Sequence, residues 1–279
     1  MQETLRDGLS AVIIGRNEEN FLPRTLPPLL DVADEIIFVD TGSDDRTMDI
    51  AEEFGCKIFR QPWQDDFSVP KNFGIDRARH SWILNVDCDE ALDTQPKTRD
   101  KFAEKCLGDA EGKPVFIIHI DNLLANGTVK RQDAMRLFRN DPRIRFQNPI
   151  HESVCNSVYQ NWPEFRPEKL DMRLTHFGYQ QDSNKEKLKR NIAILRAWMA
   201  REPDNIFGNY KLGMNLHFRG NISEGLYFLG RAFDLVCKVK DRSSYPFLKE
   251  MIPFYINELI QDGRSEDAKS ARDTVLGWE

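Results

Sequence analysis

Residues 9–40, LSAVIIGRNEENFLPRTLPPLLDVADEIIFVD, contain two apolar runs separated by a stretch of helical spacing. The runs LSAVIIG (9–15) and EIIFVD (35–40) are short and almost wholly apolar, which is typical of strands covered on both faces of a sheet. Between them, FLPRTLPPLLDVAD (21–34) has apolar residues at helical intervals despite its prolines. A strand, a helix and a second strand in succession predict a βαβ unit with a right-handed crossover.

The same alternation continues as far as residue 87. A helix is expected in TGSDDRTMDIAEEFG (41–55), with Ser43 as its N-cap and Gly55 as its stop. The pattern then predicts a strand, a helix and a fourth strand, in CKIFR (56–60), VPKNFGIDRARH (69–80) and WILNVD (82–87). The predicted fold class is therefore α/β, with a Rossmann-like, mainly parallel sheet flanked by helices.

After residue 87 the regular alternation of strands and helices ends. Strands are expected at 115–121, 136–139 and 169–179, where they would add mixed strands to the sheet and form one wall of a cleft. From 184 onward the pattern is helical. Small and apolar residues there have spacings close to those of a tetratricopeptide repeat, at Leu212-Gly213, Leu216, Gly220, Gly225, Leu229 and Ala232, with a partial second set at Gly263 and Ala268. We predict an α/β domain at 1–183 and an all-α tetratricopeptide-like domain at 184–279; a generic helical hairpin cap is the alternative.

Composition excludes several classes of protein. A net charge of −6 disfavours a nucleic-acid binder, whose phosphate contacts need a basic face. No apolar run reaches the ~18–20 residues that span a bilayer, and the start of the chain has no apolar stretch of signal-peptide type. Five scattered cysteines without a C-x-x-C pair fit a reducing cytoplasm and no zinc site. We therefore expect a cytoplasmic protein with no transmembrane segment.

Polar residues follow three of the predicted parallel strands. Arg16, Asn17 and Glu18 follow the first strand, Asp40 ends the second, and DCDE (87–90) ends the fourth. Because ligands of open α/β sheets bind beyond the carboxyl ends of the strands, these residues predict a binding crevice there.

The acids of DCDE suggest a metal site. Alternate residues of an extended segment point to one side, so Asp87 and Asp89 can face the cleft while Cys88 turns away. Two neighbouring carboxylates repel unless a cation lies between them, and Mg²⁺ or Mn²⁺ prefers such oxygen ligands. In the alternative interpretation, Asp87 caps a turn and Asp89 and Glu90 are solvated.

These stretches, together with WQDDFSVPKNFGID (63–76) and SWILNVDCDEAL (81–92), resemble family 2 glycosyltransferases of GT-A fold. More narrowly, the chain resembles bacterial members that carry C-terminal tetratricopeptide-like helices, a group that includes the glycocin peptide S-glycosyltransferases. The resemblance is dense over 9–92 and sparse over 136–179. It implies a metal-dependent, inverting transfer of a sugar from a nucleotide-diphosphate sugar, with a UDP-sugar as first choice, to a peptide, protein or glycan acceptor.

The resemblance also implies roles for the acids. Asp89 matches the direct ligand of a Mn²⁺ or Mg²⁺ ion, and Asp87 matches the acid nearer the ribose, reaching the ion through water. His176 in THFGY is the best match for a third ligand, with a strand-edge or core histidine as the alternative. The metal would bridge the two phosphates and stabilise the leaving group as a Lewis acid.

The nucleotide sugar has its own matching residues. Asp40 matches the acid that reads the nucleobase or ribose, with helix capping as the alternative, and residues 16–18 would border the same pocket. Lys71-Asn72 stands where relatives usually have Arg-Asn; lysine keeps the charge but loses the two-pronged grip on a phosphate. Lys71 as a solvated helix-end charge is the alternative.

A general base is sought in NPIHESV (148–154), which resembles the IHE stretch of relatives. Glu152 is the first choice and His151 the second, with loop or metal-shell roles as the alternative. A thiol acceptor, with a pKa of about 8.5, would need a base less than a hydroxyl would. Arg136 and Arg139 could face a diphosphate or pair with acids, and the sequence leaves both open.

Two other functions compete with glycosyl transfer. A sugar nucleotidyltransferase shares the sheet and acids, but the two glutamates of GRNEEN would repel a triphosphate. A non-catalytic interaction protein would work through its helical tail. That tail is also where we expect an acceptor to be held and where a homodimer could form.

Overall fold

A computed structural model describes residues 5–95, 97–109, 112–178, 184–242 and 245–278. The chain divides into two compact units, Met1–Asp182 and Ser183–Glu279.

The first unit is built on an eight-stranded sheet. Its strands are β1 (Arg6–Gly15), β2 (Glu35–Asp40), β3 (Lys57–Arg60), β4 (His80–Asp87), β5 (Glu90–Leu92), β6 (Val115–Leu123), β7 (Val129–Arg139) and β8 (Glu168–His176). Its helices are α1 (Leu22–Leu30), α2 (Thr47–Glu53), α3 (Ser68–Ile75), α4 (Thr98–Phe102), which continues into a π-helical turn (Ala103–Leu107), and α5 (Cys155–Asn161).

The strand order is β3-β2-β1-β4-β7-β6-β8-β5. Strands β1 to β4 are mutually parallel. Strand β7 is antiparallel to both β4 and β6, β6 and β8 are parallel, and β5 is antiparallel to β8. This confirms the predicted Rossmann-like half extended by mixed strands. The carboxyl ends of β1 and β4 lie side by side where the connections change direction, which is the usual place for a ligand crevice.

The core lies on both faces of this sheet. All six residues of β2 are buried, in agreement with its unbroken apolar run. One face contributes Phe38 and Trp82 to a large apolar cluster, and the other contributes Ile37 and Ile83 to a second. The covered sheet therefore holds its strand ends, and the polar residues on them, in fixed positions.

Helix α2 begins later than the sequence predicts. It starts at Thr47 with Arg46 as its N-cap, so Ser43 is not the N-cap. The Asp40 carboxylate accepts hydrogen bonds from the backbone N–H groups of Gly42 and Ser43 at 3.2 and 3.0 Å. Because these bonds fold the chain into a turn directly after β2, the helix forms only after that turn.

The second unit is all-helical, as predicted. Its helices are α6 (Asn184–Arg201), α7 (Ile206–Phe218), α8 (Ile222–Cys237), α9 (Leu248–Gln261) and α10 (Ser265–Leu276). Helices α7 and α8 approach closely at two glycines: a Cβ on Gly213 would lie 2.8 Å from the Gly225 carbonyl oxygen. These are two of the small residues of the predicted repeat pattern. Within the described ranges, no helix is long and apolar enough to cross a membrane.

Candidate active site

The loops after β1 and β2 are joined by hydrogen bonds. The Asn17 N–H donates to Ser43 Oγ at 3.0 Å, and Asn17 Oδ1 accepts the Asp44 N–H at 2.9 Å. The Glu18 N–H donates to Thr47 Oγ1 at 2.6 Å. Asn17 adopts a left-handed backbone with φ of 58°, a conformation that asparagine tolerates better than most residues. These contacts build one wall of the crevice, on which Arg16 is exposed.

Asp40 ends β2 inside this wall. It is 3% exposed, and both of its carboxylate oxygens accept the backbone hydrogen bonds that shape the turn after β2. The side chain therefore orders the loop that borders the crevice.

Asp87 lies at the end of β4 between two cations. Its Oδ1 is 2.9 Å from Lys71 Nζ, and its Oδ2 is 2.7 Å from a terminal nitrogen of Arg136. Burial alone would raise the pKa of Asp87, but the charges of Arg136 and Lys71 outweigh it and hold that pKa well below its usual range. Asp87 is thus a fixed anion that positions two basic side chains.

Lys71 also contacts the candidate base. Its Nζ lies 2.7 Å from Glu152 Oε1, and only 3% of the lysine side chain is exposed. Burial would lower the pKa of Lys71, but the carboxylates of Asp87 and Glu152 raise it overall. The alternative of a solvated helix-end charge is therefore wrong, because Lys71 is a buried bridge between the end of β4 and the 148–154 loop.

Asp89 pairs with the predicted histidine. Its Oδ2 lies 3.1 Å from His176 Nε2, and His176 Nδ1 lies 2.9 Å from Asn122 Oδ1. Burial would lower the pKa of His176, but the hydrogen bond and charge of Asp89 raise it. The amide oxygen of Asn122 favours a proton on Nδ1, which leaves Nε2 directed at Asp89.

Gly178 makes room for this pair. A Cβ at position 178 would lie 2.1 Å from Asp89 Oδ2 and 2.8 Å from His176 Nε2. The space above the carboxylate and imidazole is therefore kept clear by the absence of a side chain.

A metal ion would find two of the three predicted ligands together. Asp89 and His176 offer an oxygen and a nitrogen side by side, with a supporting amide behind the imidazole, and this donor set suits Mn²⁺ or Mg²⁺. Both carboxylate oxygens of Asp87, the third predicted ligand, are engaged by Lys71 and Arg136. The described residues include no group of three or more His, Cys, Asp and Glu side chains placed to hold a metal.

The sequence left the roles of two residues of this cluster undecided. Arg136 lies at a register irregularity between β6 and β7, and a bulge of this kind redirects a side chain. Its guanidinium contacts Asn85, Asp87 and Glu90. From the sequence, Arg136 could either face a diphosphate or pair with acids. In this structure it pairs with the acids Asp87 and Glu90.

Glu90 is the second such residue. It is 2% exposed, so the alternative of a solvated Glu90 is wrong. Its Oε2 accepts the backbone N–H of Asp87 at 2.9 Å, which closes the turn after β4. Burial, together with the negative charge of Asp87, raises the pKa of Glu90 to about 7 despite Arg136. Glu90 begins the three-residue strand β5. A strand this short shows no recognisable pattern in the sequence, so the burial of Glu90 was not predicted.

Other predicted residues lie nearby in different roles. The Asn72 side chain donates to and accepts from the Phe146 backbone at 2.9 Å in both directions, so it anchors α3 to the following loop. His151 is exposed and has a left-handed φ of 55°. Arg139 pairs with Asp109 at 3.0 Å, away from the acids of β4.

A cavity of about 310 Å³ adjoins Glu152. Its wall is mainly apolar, with Ile117, Met135 and Phe146 among its residues, and Arg136 and Glu152 supply polar groups. Such a cavity has room for a small group beside the Glu152 carboxylate.

The sheet order and the crevice of acids at its carboxyl edge define a domain of GT-A fold. Residues 10–109 match the family model described as glycosyl transferase family 2. The first unit therefore contains a family 2 glycosyltransferase domain.

Several known proteins are similar to the chain. A TPR repeat-containing protein of Synechococcus elongatus is 34% identical over 223 residues, covering 77% of this chain and 53% of that protein. The glycosyltransferase SunS of Bacillus subtilis is 26% identical over 237 residues, covering 84% and 55%. The chain thus spans about half the length of these curated relatives. The crystal structure of S. aureus TarS 1–349 in complex with UDP-GlcNAc superposes with a TM-score of 0.52 at 15% identity, covering 96% of this chain and 90% of that one. This supports the fold.

Proposed function

We propose that the chain is a metal-dependent, inverting glycosyltransferase that uses a nucleotide-diphosphate sugar, with a UDP-sugar as the donor. The observation that carries the proposal is the Asp89–His176 pair, which lies next to a network of ion pairs at the carboxyl edge of the sheet, formed by Arg136, Asp87, Lys71 and Glu152. The family 2 domain and a structural neighbour crystallised with UDP-GlcNAc support the donor class.

Asp89 and His176 would hold a Mn²⁺ or Mg²⁺ ion beside the donor diphosphate. When bound, the ion supplies Lewis-acid stabilisation of the departing diphosphate. The hydrogen bond with Asn122 orients the imidazole of His176 so that Nε2 faces Asp89, and Gly178 leaves space beside this pair. Asp87 orients Lys71 and Arg136.

The two cations contribute to leaving-group stabilisation. Lys71 is buried and Arg136 is only 16% exposed, and a positive charge in a water-poor site acts on a developing negative charge more strongly than it would in water. We assign the nucleoside to the wall formed by Asp40 and by Arg16, Asn17 and Glu18. Asn72 holds α3 against the segment that follows β7.

Glu152 would act as the general base. Its carboxylate is held by Lys71 beside the apolar cavity, where an acceptor group could present a hydroxyl or thiol. The base accepts the acceptor's proton as the acceptor attacks the anomeric carbon opposite the departing diphosphate. His151 is the second candidate.

The helical unit, 184–279, would bind or orient the acceptor, a peptide, protein or glycan. Tetratricopeptide-like hairpins provide concave surfaces for extended peptides. We infer a cytoplasmic location because all five cysteines are free thiols, as in a reducing compartment. A homodimer through this unit is part of the same proposal.

A thermal-shift screen tests the proposal. UDP-, GDP- and CMP-sugars are added to the purified chain with and without Mn²⁺. A UDP-sugar with Mn²⁺ should raise the melting temperature, because a ligand that binds the folded state stabilises it. Asp89→Ala should remove the Mn²⁺-dependent part. If no nucleotide sugar stabilises wild type, or if Asp89→Ala responds equally, the proposal fails.

A further inference from the structure

A second cavity lies at the opposite edge of the sheet from the candidate active site. Its volume is about 640 Å³. Its lining residues come from the start of β1, from 75–79 just before β4, and from 140–145 just after β7. The candidate active site lies at the carboxyl ends of the same two strands. The two sites are therefore separated by the length of the strands.

This cavity is strongly basic. Its charged lining residues are four arginines and one aspartate: Arg6, Arg77, Arg79, Arg145 and Asp76. In a chain with a net charge of −6, this is a local reversal of sign. Clustered like charges destabilise one another unless an anion lies among them.

Two of the arginines are fixed by protein contacts. Arg145 pairs with Asp76 at 2.8 Å and donates to the Asp141 and Ile144 carbonyl oxygens. Arg77 lies over the Phe73 ring, 3.1 Å from its centroid, and donates to the Phe73 carbonyl oxygen. These contacts hold two guanidinium groups in place at the cavity wall.

The other two arginines of the cavity are free to bind a ligand. Arg6 and Arg79 are exposed, and no carboxylate within the described ranges pairs with either guanidinium. The nearby Glu35 accepts the backbone N–H of Arg79, but its charge is already balanced by Lys57. The cavity therefore offers two free, two-pronged donors beside two fixed ones.

We propose that this cavity binds an anion that carries phosphate groups. Guanidinium groups match phosphate oxygens in pairs, so several arginines around one cavity suit a ligand with phosphate groups. The volume is within the range of small-ligand sites. The site is independent of glycosyl transfer, since none of its residues belongs to the proposed donor site.

Calorimetric titration with inorganic pyrophosphate, in EDTA, tests the proposal. The double variant Arg6→Gln/Arg79→Gln should bind pyrophosphate roughly ten- to a hundred-fold more weakly than wild type, because two charge-assisted contacts are lost. Arg143→Gln is the matched control, since Arg143 is an exposed arginine that pairs with Asp141 outside the cavity. Thermal unfolding confirms that each variant is folded.

Three outcomes overturn the proposal: wild type binds no pyrophosphate, the double variant binds it as wild type does, or binding is lost only in Arg136→Met. The last would place the anion at the other edge of the sheet.

Co-sedimentation with phosphatidylglycerol vesicles, against phosphatidylcholine vesicles, separates two sources of the phosphate. Arginine-dependent vesicle binding assigns a lipid headgroup, and pyrophosphate binding without it assigns a soluble anion. Hydrolysis of the sugar donor should be unchanged in the double variant.

Discussion

Lys71 Nζ lies 2.7 Å from Glu152 Oε1, and the two side chains are 3% and 13% exposed. The same nitrogen lies 2.9 Å from Asp87 Oδ1. One buried ammonium group therefore joins the helix α3, the end of β4 and the loop that contains the proposed base. The two ion pairs of Lys71 should therefore contribute both to the stability of the fold and to the position of the proposed base.

Removing that ammonium group should destabilise the chain. In Lys71→Met, Glu152 loses its ion-pair partner and Asp87 keeps only Arg136. We expect a loss of roughly 2–4 kcal/mol in the free energy of unfolding, as for a buried pair with one partner removed. Urea unfolding at pH 7 measures it. Lys105→Met is the control, because Lys105 and Glu104 form an exposed pair that contributes ~0–1 kcal/mol. Equal stabilities of the two variants would contradict the bridging role.

Gly178→Ala should damage the site but not the fold. The added Cβ would lie 2.1 Å from Asp89 Oδ2, so the carboxylate must move from His176. We expect Mn²⁺ affinity to fall by about ten-fold or more, as when the support of a metal ligand is disturbed. Calorimetric titration with Mn²⁺ measures this. Gly277→Ala is the control, because its Cβ would meet its nearest atom at 3.5 Å. Unchanged Mn²⁺ affinity in Gly178→Ala would remove Asp89 and His176 from the metal site.

Glu152→Gln should block chemistry while donor binding persists. The amide cannot accept the acceptor's proton, so we expect the turnover rate with a hydroxyl acceptor to fall by roughly 10²–10⁴-fold. His151→Ala is the matched comparison, with an expected change below about five-fold, since His151 is exposed. Steady-state rates, with donor affinity measured separately, distinguish the two residues. A larger loss in His151→Ala would reverse their roles.

Glu35 should make stability depend on pH at the acid end. Burial would raise its pKa, but hydrogen bonds from Lys57, Ser10 and the Arg79 N–H lower it from 4.5 to about 2. Because the folded-state pKa is depressed, this contribution is full above about pH 4.5 and is lost as the pH falls toward 2.

The comparison of wild type with Glu35→Gln isolates that contribution. At pH 7 the variant should be less stable by about 1–3 kcal/mol, and the difference should shrink by pH 3. Urea unfolding at both pH values measures the two differences. Glu104→Gln, an exposed acid, should show no such trend. A difference that stays constant from pH 7 to pH 3 would show that the Glu35 interactions do not depend on its ionisation.

Much of the fold follows from local pattern. The apolar runs at 9–15, 35–40 and 82–87 become β1, β2 and β4, because strands covered on both faces leave an unbroken apolar signal. Strand β5 and helix α5 were not predicted, since three and seven residues are too few for a period to emerge.

The sequence predicted where the site residues lie, but not which side chains they contact. The acids at the ends of β2 and β4 lie where the sequence predicts them. Cys88, which was expected to turn away from the cleft, lies in the apolar core. The partners depend on chain segments far apart in sequence: Arg136 reaches Asp87 through a register irregularity, and Lys71 reaches Glu152 across two loops. The local sequence does not indicate such contacts. The structure was therefore needed to show that Lys71 points inward and that Glu90 is buried.

The central claim is tested most directly by the Mn²⁺-dependent hydrolysis of UDP-sugars by the purified chain, without an acceptor. We predict slow release of UDP from at least one UDP-hexose, dependent on Mn²⁺ and reduced by about 100-fold or more in Asp89→Asn. Asp171→Asn, which alters an exposed partner of Lys101, should keep the wild-type rate. Absence of hydrolysis by wild type, or equal rates for wild type and Asp89→Asn, would contradict the assignment of a metal-dependent sugar donor site to this crevice.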